Sequence, residues 1–162
     1  MLKRMKQFLV LPFLMALMVA CGTMEVPKNS DSSETDTIIV EDSFDIVEGE
    51  SYTEAQELVD YLETFGELPP NFLTKKEARE LGWNAKEGNL WEVAPDASIG
   101  GDYFGNYEEL LPEAQDREYH EADVNYEGGH RNAKRLIYSN DGLYFYTEDH
   151  YKSFEEMKPG GE

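Results

Sequence analysis

The sequence predicts an α+β domain in which N-terminal helices pack on a C-terminal antiparallel β-sheet, the microbial-ribonuclease-sized arrangement of helices first and consecutive strands afterwards. Three observations carry that prediction. Ala55, Leu58, Val59 and Leu62 recur at helical spacing and form one core-facing stripe. From Ser98 onward the texture changes to short strand-like runs separated by Gly, Asn and Asp clusters. Asn140-Asp141-Gly142 stands between the last two runs and is a hairpin turn signal. Roughly 110 residues of this kind suffice for one core.

Each element has its own punctuation. The first helix ends at Gly66, before Leu68-Pro69-Pro70. Thr74-Lys75-Lys76-Glu77 has the capping-box pattern, with Ala78 and Leu81 apolar and Gly82 as a stop. A third short helix is expected at Asn89–Val93, before Pro95. The strands are expected at Ser98–Phe104, Glu118–Tyr126, Lys134–Ser139 and Leu143–Thr147, the last two pairing as a hairpin.

Ahead of this domain the composition is different. Lys3, Arg4 and Lys6 precede an apolar run from Phe8 to Ala20, 13 residues interrupted by Pro12. That is short for a membrane span and has the order of a secretory signal. Residues 1–21 are therefore expected to be a signal peptide, and the protein to be extracellular. Cys21, the one cysteine, follows Leu17-Met18-Val19-Ala20 and precedes Gly22. This resembles the lipobox of bacterial lipoproteins, which makes Cys21 the lipidation candidate and the outer face of the cell membrane the destination. Ordinary signal cleavage nearby, followed by release, is the other reading. Residues 22–50 hold nine acids and one lysine with few bulky apolar groups, the composition of an acidic disordered tether or pro-segment. Residues 51–158 make the folded domain and 159–162 a tail.

Charge is the most unusual bulk property. The chain has 14 Lys and Arg against 34 Asp and Glu, a formal net charge of −20. Yet Arg131, Lys134 and Arg135 fall within five residues. In a strand the side chains alternate, so Glu121 and Asp123 face one way and Ala122 and Val124 the other. With Ala122 and Val124 on the helices, Glu121 is expected on the open face of the sheet. Arg135, Arg131 and His150 can reach the same face. A carboxylate, guanidiniums and an imidazole are the parts phosphoryl transfer needs: a base, an acid, and cations for charge developing on phosphorus. Arginine suits the last role through its bidentate fork. On spacing alone, the ordinary meaning of such residues is a structural ion pair, a solvated basic face and an idle exposed histidine. His120, His130 and His150 have no ligand-motif spacing, so no metal site is expected.

From Tyr61 to Phe154 the chain resembles the barnase-like family of small guanyl-preferring ribonucleases secreted by bacteria. The resemblance lies in LPPNFLTKKEARELGW (68–83), GNLWEVAP and SIGGDYFGN (88–106), EADVNY, HRNAKR and YSNDGLYFYTEDHYKSF (121–154), in the family's order. It implies an endoribonuclease that cleaves single-stranded RNA after guanosine, by transesterification to a 2′,3′-cyclic phosphate and then hydrolysis, without metal or cofactor. Glu121 falls at the family's general base and His150 at its general acid. Lys75, Arg131 and Arg135 match the phosphate-stabilising cations, Asp123 the residue orienting the arginines, and Tyr151 a ring lining the site. Phe104, Gly105, Asn106, Tyr107 and Glu108 match the base-recognition loop, with Glu108 accepting from guanine. The sequence departs from the pattern where the family commonly has Ser for Gly105 and Arg for Tyr107, and an aromatic residue for His130. The resemblance also implies a monomer and a barstar-like proteinaceous inhibitor as a possible partner, beside membrane attachment through Cys21. The alternative function is a catalytically inactive surface lipoprotein of the same fold, serving as a binding module.

Overall fold

The structure, a computed structural model, describes residues 45–161. The expected signal peptide, Cys21, residues 22–44 of the expected tether and Glu162 lie outside the described residues. Helix α1 (Ala55–Phe65) is followed by strand β1 (Phe72–Leu73), α2 (Lys75–Glu80) and α3 (Leu90–Val93). Then come β2 (Ser98–Phe104), β3 (Tyr119–Asp123), β4 (Arg135–Ser139), β5 (Tyr144–Thr147) and β6 (Glu155–Met157), before a 3-10 turn at Pro159–Gly161. The six strands form one sheet in sequence order. β1 runs parallel to β2, and every other neighbouring pair is antiparallel. This is the α+β arrangement the sequence predicts.

The helix ends follow from local chemistry. Gly66 adopts φ 74° and donates its N–H to the Leu62 carbonyl, closing α1 with a left-handed residue that glycine accepts without strain. At α2 the Glu77 N–H donates to Thr74 Oγ1 at 3.2 Å, and the Glu77 carboxylate accepts from Thr74 N–H at 2.8 Å. Both bonds satisfy backbone donors that have no partner inside the helix. The expected hairpin is present, with Tyr138 opposite Tyr144 and a turn closed by Ser139 and Leu143.

The pleat divides the sheet into two working faces. On one, Leu58, Val59 and Leu62 of α1 pack on Ala122, Val124, Leu136 and Tyr144. On the other, Tyr119, Ile137 and Phe145 pack with Leu111, and Glu121, Asp123 and Arg135 share their alternation. A further cluster of Ala78, Trp83, Leu90, Ile99 and Tyr126 fastens α2 and α3 beside the sheet. Residues 45–50, at the end of the segment read as a tether, touch this body: Val47 N–H donates to the Tyr52 hydroxyl at 2.9 Å and Gly49 N–H to the Tyr61 hydroxyl at 3.1 Å.

Three features differ from the expected elements. β3 ends at Asp123 rather than Tyr126 in its ladder, although Val124 stays fully buried. β1 and β6 are additional edge strands; their two and three residues carry no alternation of their own. A β-bulge interrupts β2, whose Gly100 faces Ala122 while Asp102 faces Glu121. Gly101 takes φ 89° there. A Cβ on Gly100 would lie 2.6 Å from the Phe72 ring, so the strand crosses too closely for any side chain. The bulge re-aims Asp102 toward the site described next.

Candidate active site

Asp123 and its two arginines form the floor of the site. Its carboxylate is 1% exposed. Arg131 grips it bidentately, Nε to Oδ2 at 2.6 Å and Nη2 to Oδ1 at 2.5 Å. Arg135 Nε stands 2.9 Å from Oδ1, at ion-pair distance but off the line of a hydrogen bond. The rest of the Arg135 guanidinium is anchored by backbone: Nη1 donates to the Asn132 and Lys134 carbonyls at 2.9 and 2.6 Å. Asn132 is itself tied to the end of β3, its Nδ2 donating to the Val124 and Asn125 carbonyls at 2.9 and 2.8 Å. A buried carboxylate with two guanidiniums is tolerable because each charge is paired and hydrogen-bonded.

Two residues earlier on β3 lies Glu121. Its Oε1 accepts from Lys75 Nζ at 2.5 Å, and its Oε2 accepts from the Tyr151 hydroxyl at 2.5 Å. Arg131 Nη2 is 4.0 Å from Oε1. Burial by itself pushes the Glu121 carboxyl pKa up. The Lys75 and Tyr151 hydrogen bonds, with the charges of Lys75 and Arg131, outweigh it and hold the group below its usual value of 4.5. At neutral pH it is therefore a carboxylate. The expectation of an open Glu121 needs correction: it is 6% exposed, because Lys75 and Tyr151 lie across it from elements far away in sequence.

Lys75 owes its place to the capped first turn of α2 and to Asp102, whose carboxylate accepts the Lys75 backbone N–H at 2.8 Å. The sequence gave no sign of Asp102, which depends on the bulge. Tyr151 is the hub of the far side. Its ring centroid lies 5.4 Å from that of Phe104 and 4.7 Å from that of His150. Burial, then its bond to Glu121, pushes the phenol up to about 12, so it stays a donor. His150 and Tyr151 both take left-handed backbone, φ 59° and 69°. The turn that holds them there is built on Asp149, another residue the sequence reading passed over. Asp149 accepts from the Lys152 and Ser153 N–H groups at 3.0 Å each, and from the Ser153 hydroxyl at 2.8 Å. Those bonds, led by the Ser153 hydroxyl, bring its carboxyl down to about 2. The one available signal was an Asp followed by Ser four residues on, a common turn pattern.

The structure thus brings Lys75, Glu121, Asp123, Arg131, Arg135, Tyr151, His150 and Phe104 into one contiguous cluster. The side chains differ in access: Lys75 is 28% exposed and Arg131 21%, whereas Arg135 is 2% exposed. Lys75 and Arg131 can meet an incoming anion, while Arg135 supports Asp123 from beneath. The loop after Phe104 is pinned by Asn106, a buried residue at φ 42° whose amide donates to the Leu111 carbonyl at 3.0 Å and accepts from Leu111 N–H at 3.1 Å. Tyr107 and Glu108 project from it into solvent. Of the other histidines, His120 lies on the helix-facing side, stacked on Tyr138, and His130 is exposed. A cavity of about 980 Å³ opens on that same opposite side, beside His120 and Tyr138, away from this cluster.

A family model described as ribonuclease matches residues 55–158. A ribonuclease of Heyndrickxia coagulans is 52% identical over 101 residues, covering 62% of this chain and 93% of that protein. A ribonuclease of Bacillus intermedius is 46% identical over 127 residues, covering 78% of this chain and 72% of that one. The guanyl-specific ribonuclease St of Saccharopolyspora erythraea is 46% identical over 89 residues, covering 54% of this chain and 78% of that one.

Removing the floor tests its structural weight. Asp123→Ala leaves two guanidiniums facing each other without a counter-charge, and urea unfolding is expected to show a loss of about 3–5 kcal/mol. A loss under about 1 kcal/mol would mean that the arginines find other partners.

Proposed function

The chain belongs to the ribonuclease family, and we propose that it is an endoribonuclease that cuts single-stranded RNA after guanosine through a 2′,3′-cyclic phosphate. The observation that carries this reading is Glu121, an ionised carboxylate that shares Lys75 and Arg131 with the space above it and lies beside Tyr151 and His150. In the proposed first step the Glu121 carboxylate takes the proton of the ribose 2′-hydroxyl. The freed oxygen attacks the neighbouring phosphorus, and the bond from phosphorus to the 5′-oxygen breaks. His150, as imidazolium, gives its proton to that leaving oxygen. In the hydrolytic step the two groups exchange roles, with water in place of the alcohol. No metal or cofactor enters, because the first nucleophile belongs to the substrate.

The cations have a double use in this scheme. In the free protein Lys75 and Arg131 neutralise Glu121. When a phosphate arrives, its oxygens compete for the same donors and take the charge that develops on phosphorus. Partial withdrawal of Lys75 from Glu121 makes the carboxylate a better base at the moment it is needed. Arg135, sealed below, contributes a fixed positive potential through its grip on the Asp123–Arg131 unit. Guanine preference rests on the pinned loop, where Glu108 is exposed and free to accept from the two adjacent N–H groups of the guanine edge. We further propose, from residues 3–21, that the protein is exported and is either released or held at the membrane by lipid on Cys21.

The mechanism is tested with guanosine and adenosine dinucleotides. The natural protein is expected to give cyclic product from the guanosine substrate, with Glu121→Ala and His150→Ala each slowing it by roughly 100-fold or more. Cleavage that persists in either variant would remove that residue from the mechanism. The acidity of the chain adds a second expectation. Residues 51–162 hold 10 cations against 25 acids, so RNA outside the central subsites is repelled. Cleavage of long RNA is expected to rise as ionic strength increases from very low values, as screening weakens that repulsion. A rate that only falls with added salt would contradict it.

A further inference from the structure

Gly105 and Tyr107 both depart from the family pattern, and the structure joins the two departures. The Tyr107 ring folds back over the Gly105 backbone. A Cβ on Gly105 would lie 2.5 Å from Tyr107 Cζ and 3.0 Å from Cδ2, distances no real side chain tolerates. Gly105 does not take a left-handed φ, so its backbone would accept other residues; it is the ring that requires the bare position. The remainder of Tyr107 is 88% exposed, the most open of the large hydrophobic side chains among the described residues. A ring seated on backbone along one side and open to solvent on the other is a platform for something planar.

We propose that Tyr107 is a nucleobase-stacking platform for the bound RNA strand, and that Gly105 is the positioning residue that sets its ring. The proposal rests on the cleavage reading above. Its chemistry follows from the charges around the loop. Residues 104–113 contain Glu108, Glu109 and Glu113 and no lysine or arginine. A phosphate gains nothing there, whereas the π-face of a base is attracted to an aromatic ring whatever the surrounding net charge. Stacking also suits a loop that Asn106 fixes at both ends of its amide, because a platform held in place loses little freedom when a base lands on it. Phe104, packed on Tyr151 at 5.4 Å, gives the strand a second ring at the catalytic end of the same loop. In this chain the loop therefore holds RNA by stacking where charge would repel it.

The test measures the Kd of a non-cleavable 2′-deoxy dinucleotide with guanine at its 5′ position, and KM for its ribose counterpart. Tyr107→Ala is expected to weaken Kd and raise KM by roughly 5- to 100-fold, the range for one lost base stack, with Tyr107→Phe close to the natural protein. Gly105→Ser is expected to weaken binding several-fold with Tyr107 present and to add nothing on the Tyr107→Ala background. A Kd within about twofold of natural in Tyr107→Ala, or a Gly105→Ser effect of equal size on both backgrounds, would overturn the proposal. Tight, Tyr107-dependent binding of the deoxy dinucleotide without cleavage of the ribose form would sink the cleavage reading and leave the platform standing. No binding by the natural protein would overturn both.

Discussion

The burial of Asp123 between Arg131 and Arg135 is the constraint on which the rest of the site depends. A carboxylate 1% exposed is affordable only with its charge matched on the spot, and two guanidiniums at 2.5 and 2.9 Å provide that match. The pairing also joins separate pieces of chain. Asp123 ends β3, Arg135 opens β4 directly opposite, and Arg131 comes from the connection between them. Once these are locked, Glu121 two residues back must face the same side of the sheet, next to Arg131. The catalytic geometry is a consequence of the structural ion cluster.

That cluster explains how so acidic a chain keeps a cationic site. Most acids lie at the surface, where water screens them and they influence local geometry little. The cations that matter are partly or wholly buried and fixed by hydrogen bonds, so their effect on a neighbouring group is strong at short range. Glu121 registers the result: burial raises its pKa, and the cations with Tyr151 pull it back below the ordinary value. Net charge governs how RNA approaches the protein. Local charge governs what happens once it has arrived.

Much of the frame was legible in the sequence because it rests on local chemistry. Gly66, the Thr74–Glu77 box and the Asn140–Gly142 turn each fix a boundary through bonds made within a few residues. The alternation of Ala122 and Val124 with Glu121 and Asp123 fixed the two faces of β3 in the same way. The remainder depends on long-range partners. β1 exists only because β2 lies beside it, and the closure of Glu121 needs Lys75 and Tyr151 from opposite ends of the domain. Asp102 reaches α2 through a bulge that no spacing rule announces. The contact of Tyr107 with Gly105 is a packing fact, invisible in a comparison of residue types. The site residues themselves came from resemblance to a family, since spacing alone pointed no further than an ion pair.

The most direct measurement is the titration of the Glu121 side-chain carboxyl by carbon-detected nuclear magnetic resonance in the free protein, with Glu121→Gln to assign the signal. If Lys75, Tyr151 and Arg131 outweigh burial, the group titrates below 4.5 and is fully ionised at neutral pH. Its lowered value then stabilises the fold above pH 4.5, a contribution that fades as pH falls through the folded-state pKa. A carboxyl that titrates above 4.5 would mean that burial dominates, and that the cation cluster does not hold Glu121 as a ready base.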